Sequence, residues 1–370
     1  MEYRRLGRTE LQVSLLGVGA GYLAVLDRPT GERIYRRAYD LGVNYFDGRY
    51  GDSNYKLAPL LREHRDRCVV ATKTRETGAG GVARRVEEEL VELGTDYIDI
   101  FLLRTYSHEM LADHLAPNGA FDGVLKAKEQ GKVRFIGMAA HGDLTVLEDG
   151  IRTGIVDVII FPLNIVRREA LDGLIPLAQE YDVGLVVMKP VSVGMLPAEQ
   201  ALPWLANQPI HTMVPGVSSL EELELDARVL ERTTLALSAQ EESQVEAVRQ
   251  RVDALTCRIC DGFCAPCPEG IDIPSMIYHD VWYNLYRNMG LEAFLAAPWH
   301  PGARKLFERH FRARLGKLAA CTGCRECEAR CSYGIPVVDM LEDMKVDHPP
   351  LIEALAALGW QDQETPPWYF

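Results

Sequence analysis

Cysteine is scarce through most of this chain. The 370 residues hold nine, yet Cys68 is the only one before residue 257. Basic charge is also short. Forty Lys and Arg stand against fifty-three Asp and Glu, a formal charge of −13, which excludes a surface built for nucleic acid or anionic lipid. No stretch reaches the ~20 apolar residues of a membrane span. The opening MEYRRLGRTELQVS has no apolar core for a secretory leader and reads as mature protein. These absences predict a cytoplasmic protein whose thiols stay reduced. The 47% hydrophobic content is ordinary for a globular chain, and the length suffices for a large core.

What is present up to about residue 237 is a repeating alternation. Short β-branched runs are each followed by a helical stretch: LLGVGAG (15–21), VNYFD (43–47), CVVATK (68–73), YIDIFLL (97–103), VRFIGMAA (133–140), VDVIIFPL (156–163), GLVVMKP (184–190) and IHTMVPG (210–216). Near-continuous apolar runs suit parallel strands buried on both faces. Glycines at 42, 94, 131 and 154 fit left-handed helix ends. Ser219 with Glu222, and Ser238 with Glu241, fit capping boxes. About eight units in this length predict an α/β fold, a (β/α)8 barrel. A doubly wound open sheet is the alternative. The GVGAG at 17–21 does not favour it, because its third glycine is misplaced for a dinucleotide loop. Cys68, opening a strand, reads as a small core residue.

A barrel carries its chemistry at the C-terminal ends of its strands. That rule selects Asp47, Tyr50, Lys73, Arg104 with Tyr106, His141, Asn164, Lys189, and the loop from Gly216 through Ser218 and Ser219. Any one of these could equally be a solvated rim residue, and Asn164 could merely cap the next helix. The coincidence of Asp, Tyr and Lys on neighbouring strands carries more weight than each alone.

The remaining cysteines fall in two sets of four. Cys257, Cys260, Cys264 and Cys267 precede Pro268; Cys321, Cys324, Cys327 and Cys331 follow some fifty residues later. The second set has the C-x₂-C-x₂-C-x₃-C spacing of bacterial ferredoxins, in which the fourth cysteine of each run ligates the other cluster. This predicts two [4Fe–4S] clusters, one on Cys257, Cys260, Cys264 and Cys331, the other on Cys321, Cys324, Cys327 and Cys267. Zinc and disulfides are the competing readings. Three cysteines at x₂/x₂ spacing crowd a single tetrahedral ion. The segments between the sets read as amphipathic helices, with Trp282, Tyr283, Tyr286 and Phe294 packing a core or an interface. The expected organisation is therefore a barrel over 1–237, a linker helix over 238–256, a small all-α ferredoxin-like iron–sulfur domain over 257–345, and a C-terminal tail over 346–370.

The ordered set MEYRRLGRTELQVSLLGVG, GVNYFD…YGDSNYKL, VVATKT, LGTDYIDIFLL, GKVRFIG and VMKP resembles the aldo/keto reductase family, and the cysteine-bearing part resembles its iron–sulfur branch. The resemblance implies a nicotinamide cofactor, NAD(H) or NADP(H), and carbonyl reduction at the barrel mouth. It implies Tyr50 as proton donor, Lys73 as the cation that tunes it and Asp47 as the residue that orients Lys73.

Several positions depart from the family pattern. The Asp-to-Tyr spacing in FDGRYGDS is two residues short, so Tyr55 or Tyr106 could take the place of Tyr50. Arg104 stands where the family has a histidine. Ala139 and Ala140 replace a Ser–Asn pair that holds the nicotinamide carboxamide, and Ile160 replaces a glutamine. Glu222 stands where a cation commonly meets the 2′-phosphate, so weak NADPH binding is expected. Three readings follow: a nicotinamide-dependent reductase of a small-molecule carbonyl or unsaturated substrate; a nicotinamide-independent reductase fed by the clusters, with ferredoxin or another electron donor as partner; or a non-catalytic electron-transfer module. No flavin motif is present to couple hydride to single electrons.

Overall fold

Eight parallel strands, in sequential order, close on themselves. After an antiparallel hairpin, β1 (Tyr3–Arg5) and β2 (Gln12–Ser14), come β3 (Val18–Gly19), β4 (Tyr45–Asp47), β5 (Val69–Thr74), β6 (Ile98–Arg104), β7 (Val133–Ala139), β8 (Val158–Pro162), β9 (Gly184–Met188) and β10 (Thr212–Val214). Each of β3–β10 pairs in parallel with its sequence neighbour. Parallel bridges Leu16–Met213 and Gly19–Gly216 join first to last. This computed structural model describes all residues except 49, 233, 260–266, 279, 301 and 359–370. All eight expected strands are found, and closure decides for the barrel over the open sheet.

Strand periodicity separates two layers of core. Tyr45, Val69, Ala71, Ile100, Leu102, Val158, Ile160 and Val186 fill the barrel interior. The alternate residues Phe46, Val70, Phe101, Leu103 and Ile159 pack outward against the helices. A period of two therefore points Asp47, Lys73 and Arg104, which continue the inward series of β4, β5 and β6, toward the barrel mouth. The four expected glycine helix ends all have positive φ: Gly42 at 88°, Gly94 at 63°, Gly131 and Gly154 at 76°. The hairpin β1–β2 was not anticipated. It is too short to show a pattern, and it is held by tertiary contacts such as Arg8 N donating to Asp182 O at 2.6 Å.

Ser238 and Glu241 form a full capping box on the helix Ala239–Val252. Ser219 caps the helix Leu220–Leu230, accepting from Glu222 N at 3.2 Å. The Glu222 carboxylate, however, accepts from Ser218 N and Ser218 Oγ at 2.7 and 2.8 Å, one residue earlier than the expected box.

Beyond residue 256 the described chain is helical: Ile273–Ile277, Val281–Met289, Leu291–Ala296, Ala303–Leu318, Glu326–Ala329 and Val337–Ala357. Phe294, Trp299 and Phe307 form a buried aromatic knot with centroid separations of 5.1–5.3 Å. That knot docks on the barrel through a Leu26–Trp299 bridge, with Asp27 N donating to Pro298 O at 2.7 Å and His300 N to Val25 O at 2.8 Å. The helix Val337–Ala357 runs straight across the expected 345/346 division. Leu351, Ile352 and Leu355 are buried, so packing carries the helix through Pro349 and Pro350.

Candidate active site

The barrel mouth and the helical part enclose a cavity of about 1010 Å³. From the barrel, Asp47, Tyr50, Lys73, Arg104, His141 and Lys189 line it. From the helical part come Tyr278, Asp280, Trp282, His310, Arg314 and Lys317.

Lys73 Nζ donates to Asp47 Oδ2 at 2.5 Å, and both side chains are buried. Lys73 Nζ lies 5.1 Å from the Tyr50 ring centroid, and Arg104 Cζ lies 4.8 Å from the same ring. Burial, the largest single influence on Tyr50, opposes its ionisation. Arg104 and then Lys73 outweigh burial, and the phenol sits below its ordinary pKa. Arg104 is only 6% exposed. Burial works against its charge too, but Tyr50, Tyr106 and Asp47 hold the guanidinium above its usual value. Tyr50 thus reaches the cavity despite the shortened loop. Tyr55 is not among the residues lining it; that ring lies under Arg28 at 5.5 Å. Tyr106 lines the rim, with Arg75 5.8 Å from its ring.

Lys189, at φ 58°, sits over the Tyr278 ring at 4.3 Å. Burial, reinforced by Arg167, pushes its ammonium down to about 7. Gly216 lines the cavity against the Tyr22 ring, where an added Cβ would come within 3.0 Å.

Three expected site residues lie elsewhere. Asn164 is fully buried and does not face the cavity. Its amide donates to Lys189 O at 3.1 Å and accepts from Val166 N and Arg167 N, stapling its own loop. Ser218 and Ser219 are engaged with Glu222, so the helix terminus that could take an anion already holds this chain's own carboxylate. Ala139, Ala140 and Ile160, the positions where polar contacts to a nicotinamide were expected, are buried and have no side-chain polar atoms.

The cap contributes a polar group that sequence reasoning missed. Asp280 is 4% exposed and accepts from His310 Nε2 at 2.5 Å, Arg314 Nη1 at 2.6 Å and Tyr283 N at 2.7 Å. A signal was present, because His310, Arg314 and Lys317 recur at helical spacing on one face of Ala303–Leu318. Arg75 was also missed, although it continues the inward series Ala71, Lys73.

Four thiols, Cys267, Cys321, Cys324 and Cys327, line one small cavity with Ile271, Ile273 and Leu341. They are the set expected on a single cluster. Cys257 is buried, its Sγ accepting from Ile259 N at 3.4 Å, and Cys331 is half-buried. Cys260 and Cys264 lie outside the described residues. None of the described cysteines is in a disulfide. Among the described residues no three His, Cys, Asp or Glu side chains are set to hold a metal ion. That finding favours neither zinc nor an iron–sulfur cluster on the described thiols. Nor is any described helix long and apolar enough to cross a membrane.

Residues 15–202 match the Aldo/keto reductase family. The chain is 27% identical over 310 residues to L-galactose dehydrogenase of Arabidopsis thaliana, covering 69% of this chain and 97% of that protein. It is 25% identical over 226 residues to L-glyceraldehyde 3-phosphate reductase of Escherichia coli, covering 53% of this chain and 63% of the other. The solved holo form of aldo-keto reductase AKR11C1 from Bacillus halodurans superposes with a TM-score of 0.58 at 23% identity, over 67% of this chain and 96% of that one. The closed parallel barrel, the Asp47–Lys73 pair at its mouth and these matches converge: the chain is an oxidoreductase and belongs to the aldo/keto reductase family.

Proposed function

We propose that this chain reduces a small carbonyl compound at the barrel mouth, with Tyr50 as the proton donor, and that its helical part carries two [4Fe–4S] clusters. One observation carries the catalytic reading: Lys73 Nζ and Arg104 Cζ lie 5.1 and 4.8 Å from the Tyr50 ring centroid, and Lys73 is fixed by Asp47 at 2.5 Å. Carbonyl reduction leaves negative charge on oxygen, and a nearby acid must discharge it. An ordinary tyrosine, with a pKa near ~10, is a weak acid at neutrality. Two adjacent cations stabilise its phenolate and so ease the transfer. His141, at the mouth of the same cavity, is a further polar contact for substrate. The open volume argues against a purely structural module.

A bound nicotinamide would supply hydride, and Gly216 and Lys189 line the face where it would lie. The chain's residues do not fit a 2′-phosphate there, because Glu222 occupies the helix terminus. The same contacts, with Ala139, Ala140 and Ile160, favour a second reading in which electrons reach the substrate from the clusters. In that reading a ferredoxin-type partner is the source. Iron–sulfur clusters supply single electrons. The thiols of Cys267, Cys321, Cys324 and Cys327 share one cavity and would hold one of them; Cys257, Cys260, Cys264 and Cys331 would hold the other.

Anaerobic purification should yield brown protein with about eight irons per chain. NADH, NADPH and reduced ferredoxin are then added separately and the visible spectrum followed. Bleaching by NADH or ferredoxin with little effect of NADPH is expected. Colourless protein with stoichiometric zinc overturns the cluster assignment, and tight NADPH binding overturns the reading of Glu222.

A further inference from the structure

We infer that the substrate is a carbonyl compound bearing a carboxylate on the adjacent carbon, a 2-oxo acid, with its carboxylate on Arg104 and its carbonyl oxygen facing the Tyr50 hydroxyl. The inference rests on the reductase reading above and narrows it.

The cavity is cationic inside an acidic protein. Its formal charge of −13 is spread elsewhere, while Lys73, Arg75, Arg104, Lys189, Arg314 and Lys317 all face this space. The carboxylates that face it are already matched. Asp47 is held by Lys73 at 2.5 Å, Asp280 by Arg314 at 2.6 Å, and Glu92 by Arg85 at 3.2 Å. Of the cations without a carboxylate partner, Arg75 and Lys317 are exposed and Lys189 is half-buried, whereas Arg104 is buried in the wall. Among the described residues no carboxylate pairs with it, and its neighbours are the phenols of Tyr50 and Tyr106. Asp47 acts on it from beyond ion-pair distance and is itself committed to Lys73, so a guanidinium that is 6% exposed has no carboxylate in direct contact, which is costly. It is also a planar fork that matches a carboxylate with two parallel hydrogen bonds. The missing partner is therefore an anion entering the cavity.

Distance sets where the carbonyl lies. Arg104 Cζ is 4.8 Å from the Tyr50 ring centroid, close enough for the guanidinium and the phenol to meet neighbouring groups of one small molecule. A carboxylate on Arg104 leaves the next carbon beside the proton donor. In the reaction the carbonyl carbon would gain hydride from a bound nicotinamide, or two electrons from reduced clusters together with a proton from solvent. The oxygen takes the Tyr50 proton, and the C=O π bond is replaced by C–H and O–H bonds. The product is a 2-hydroxy acid. Arg75 and Lys317, exposed at the rim, draw the anion inward.

The test is calorimetric titration of the full-length, anaerobically purified protein with oxamate, an unreactive 2-oxo acid mimic, and with oxamide, its neutral counterpart. Oxamate should bind and oxamide should bind at least tenfold more weakly. Arg104→Gln should weaken oxamate by roughly a hundredfold or more. Arg104→Lys, which keeps charge but loses the fork, should fall between. Tyr50→Phe should leave oxamate binding within about threefold while abolishing turnover. Equal affinity for oxamate and oxamide, or full oxamate binding in Arg104→Gln, overturns the inference. The wild-type comparison holds even if a variant misfolds. If oxamate does not bind but Tyr50→Phe still abolishes reduction of neutral aldehydes, only the anion assignment falls. If oxamate binds and Tyr50→Phe remains active, only the assignment of Tyr50 as proton donor falls; if oxamate binds and no carbonyl compound is reduced, the reductase reading falls by itself.

Discussion

Tyr50 titrates under opposing influences, and the balance can be read from outside. Burial resists its ionisation, while Arg104 and Lys73 promote it, and the cations win. On the proposal that Tyr50 donates the proton it must be protonated, so turnover should fall as pH rises through this lowered pKa, below the usual tyrosine range. Arg104→Met removes one cation and should move that alkaline limb upward, with a neutral aldehyde as substrate. A limb that stays in place, in rate profiles or in tyrosinate absorbance relative to Tyr50→Phe, would remove Arg104 from this role. A second residue-scale expectation concerns Glu222. Replacing it by Gln frees the helix terminus of a charge and should strengthen NADPH binding several-fold; unchanged or weaker binding in a direct titration would count against it. Asp47, Lys73 and Arg104 were legible in the sequence because strand ends and a period of two fix where a side chain points. Asn164, Ser218 and Ser219 were not. A polar side chain in a loop can face a ligand or its own backbone, and only the path of the loop decides.

At the scale of elements, the strands and glycine helix ends were legible because burial on two faces and positive φ leave marks in composition. Gly137 in β7 shows how tightly β6, β7 and β8 are nested. An added Cβ would meet Leu102 Cδ2 at 2.4 Å and Val158 O at 2.7 Å. Gly137→Ala should lower stability by about 1–3 kcal/mol, and a denaturant midpoint equal to wild type would contradict that packing. The helical spacing of His310 and Arg314 was legible, but their meeting with Asp280 was not, because it joins two helices thirty residues apart around one buried carboxylate. Burial alone would raise the Asp280 pKa. His310, Arg314 and the Tyr283 amide outweigh it and hold the carboxyl below its ordinary value. A depressed pKa contributes stability that is present above the unfolded value near ~4 and is lost as pH falls through the folded value. Asp280→Asn strands the buried Arg314 and should cost about 3–5 kcal/mol. Its stability should also lose part of the acid dependence seen in wild type; matching acid unfolding curves would show that the group is not stabilising.

At the scale of the whole molecule, the helical part is a wall of the reaction cavity as well as a carrier of thiols. Tyr278, Trp282 and His310 face Tyr50 and Arg104 across one space. Cysteine spacing marked two sets of thiols, and Cys267, Cys321, Cys324 and Cys327 line one small cavity. That the same segment roofs the barrel was hidden, because docking rests on single contacts such as Leu26 with Trp299. The most direct measurement is product analysis under anaerobic conditions, with pyruvate as probe and NADH or reduced ferredoxin as donor. The account predicts conversion of the carbonyl to a hydroxyl by wild type and a loss of roughly a hundredfold or more in Tyr50→Phe. Equal product from the two proteins would contradict it.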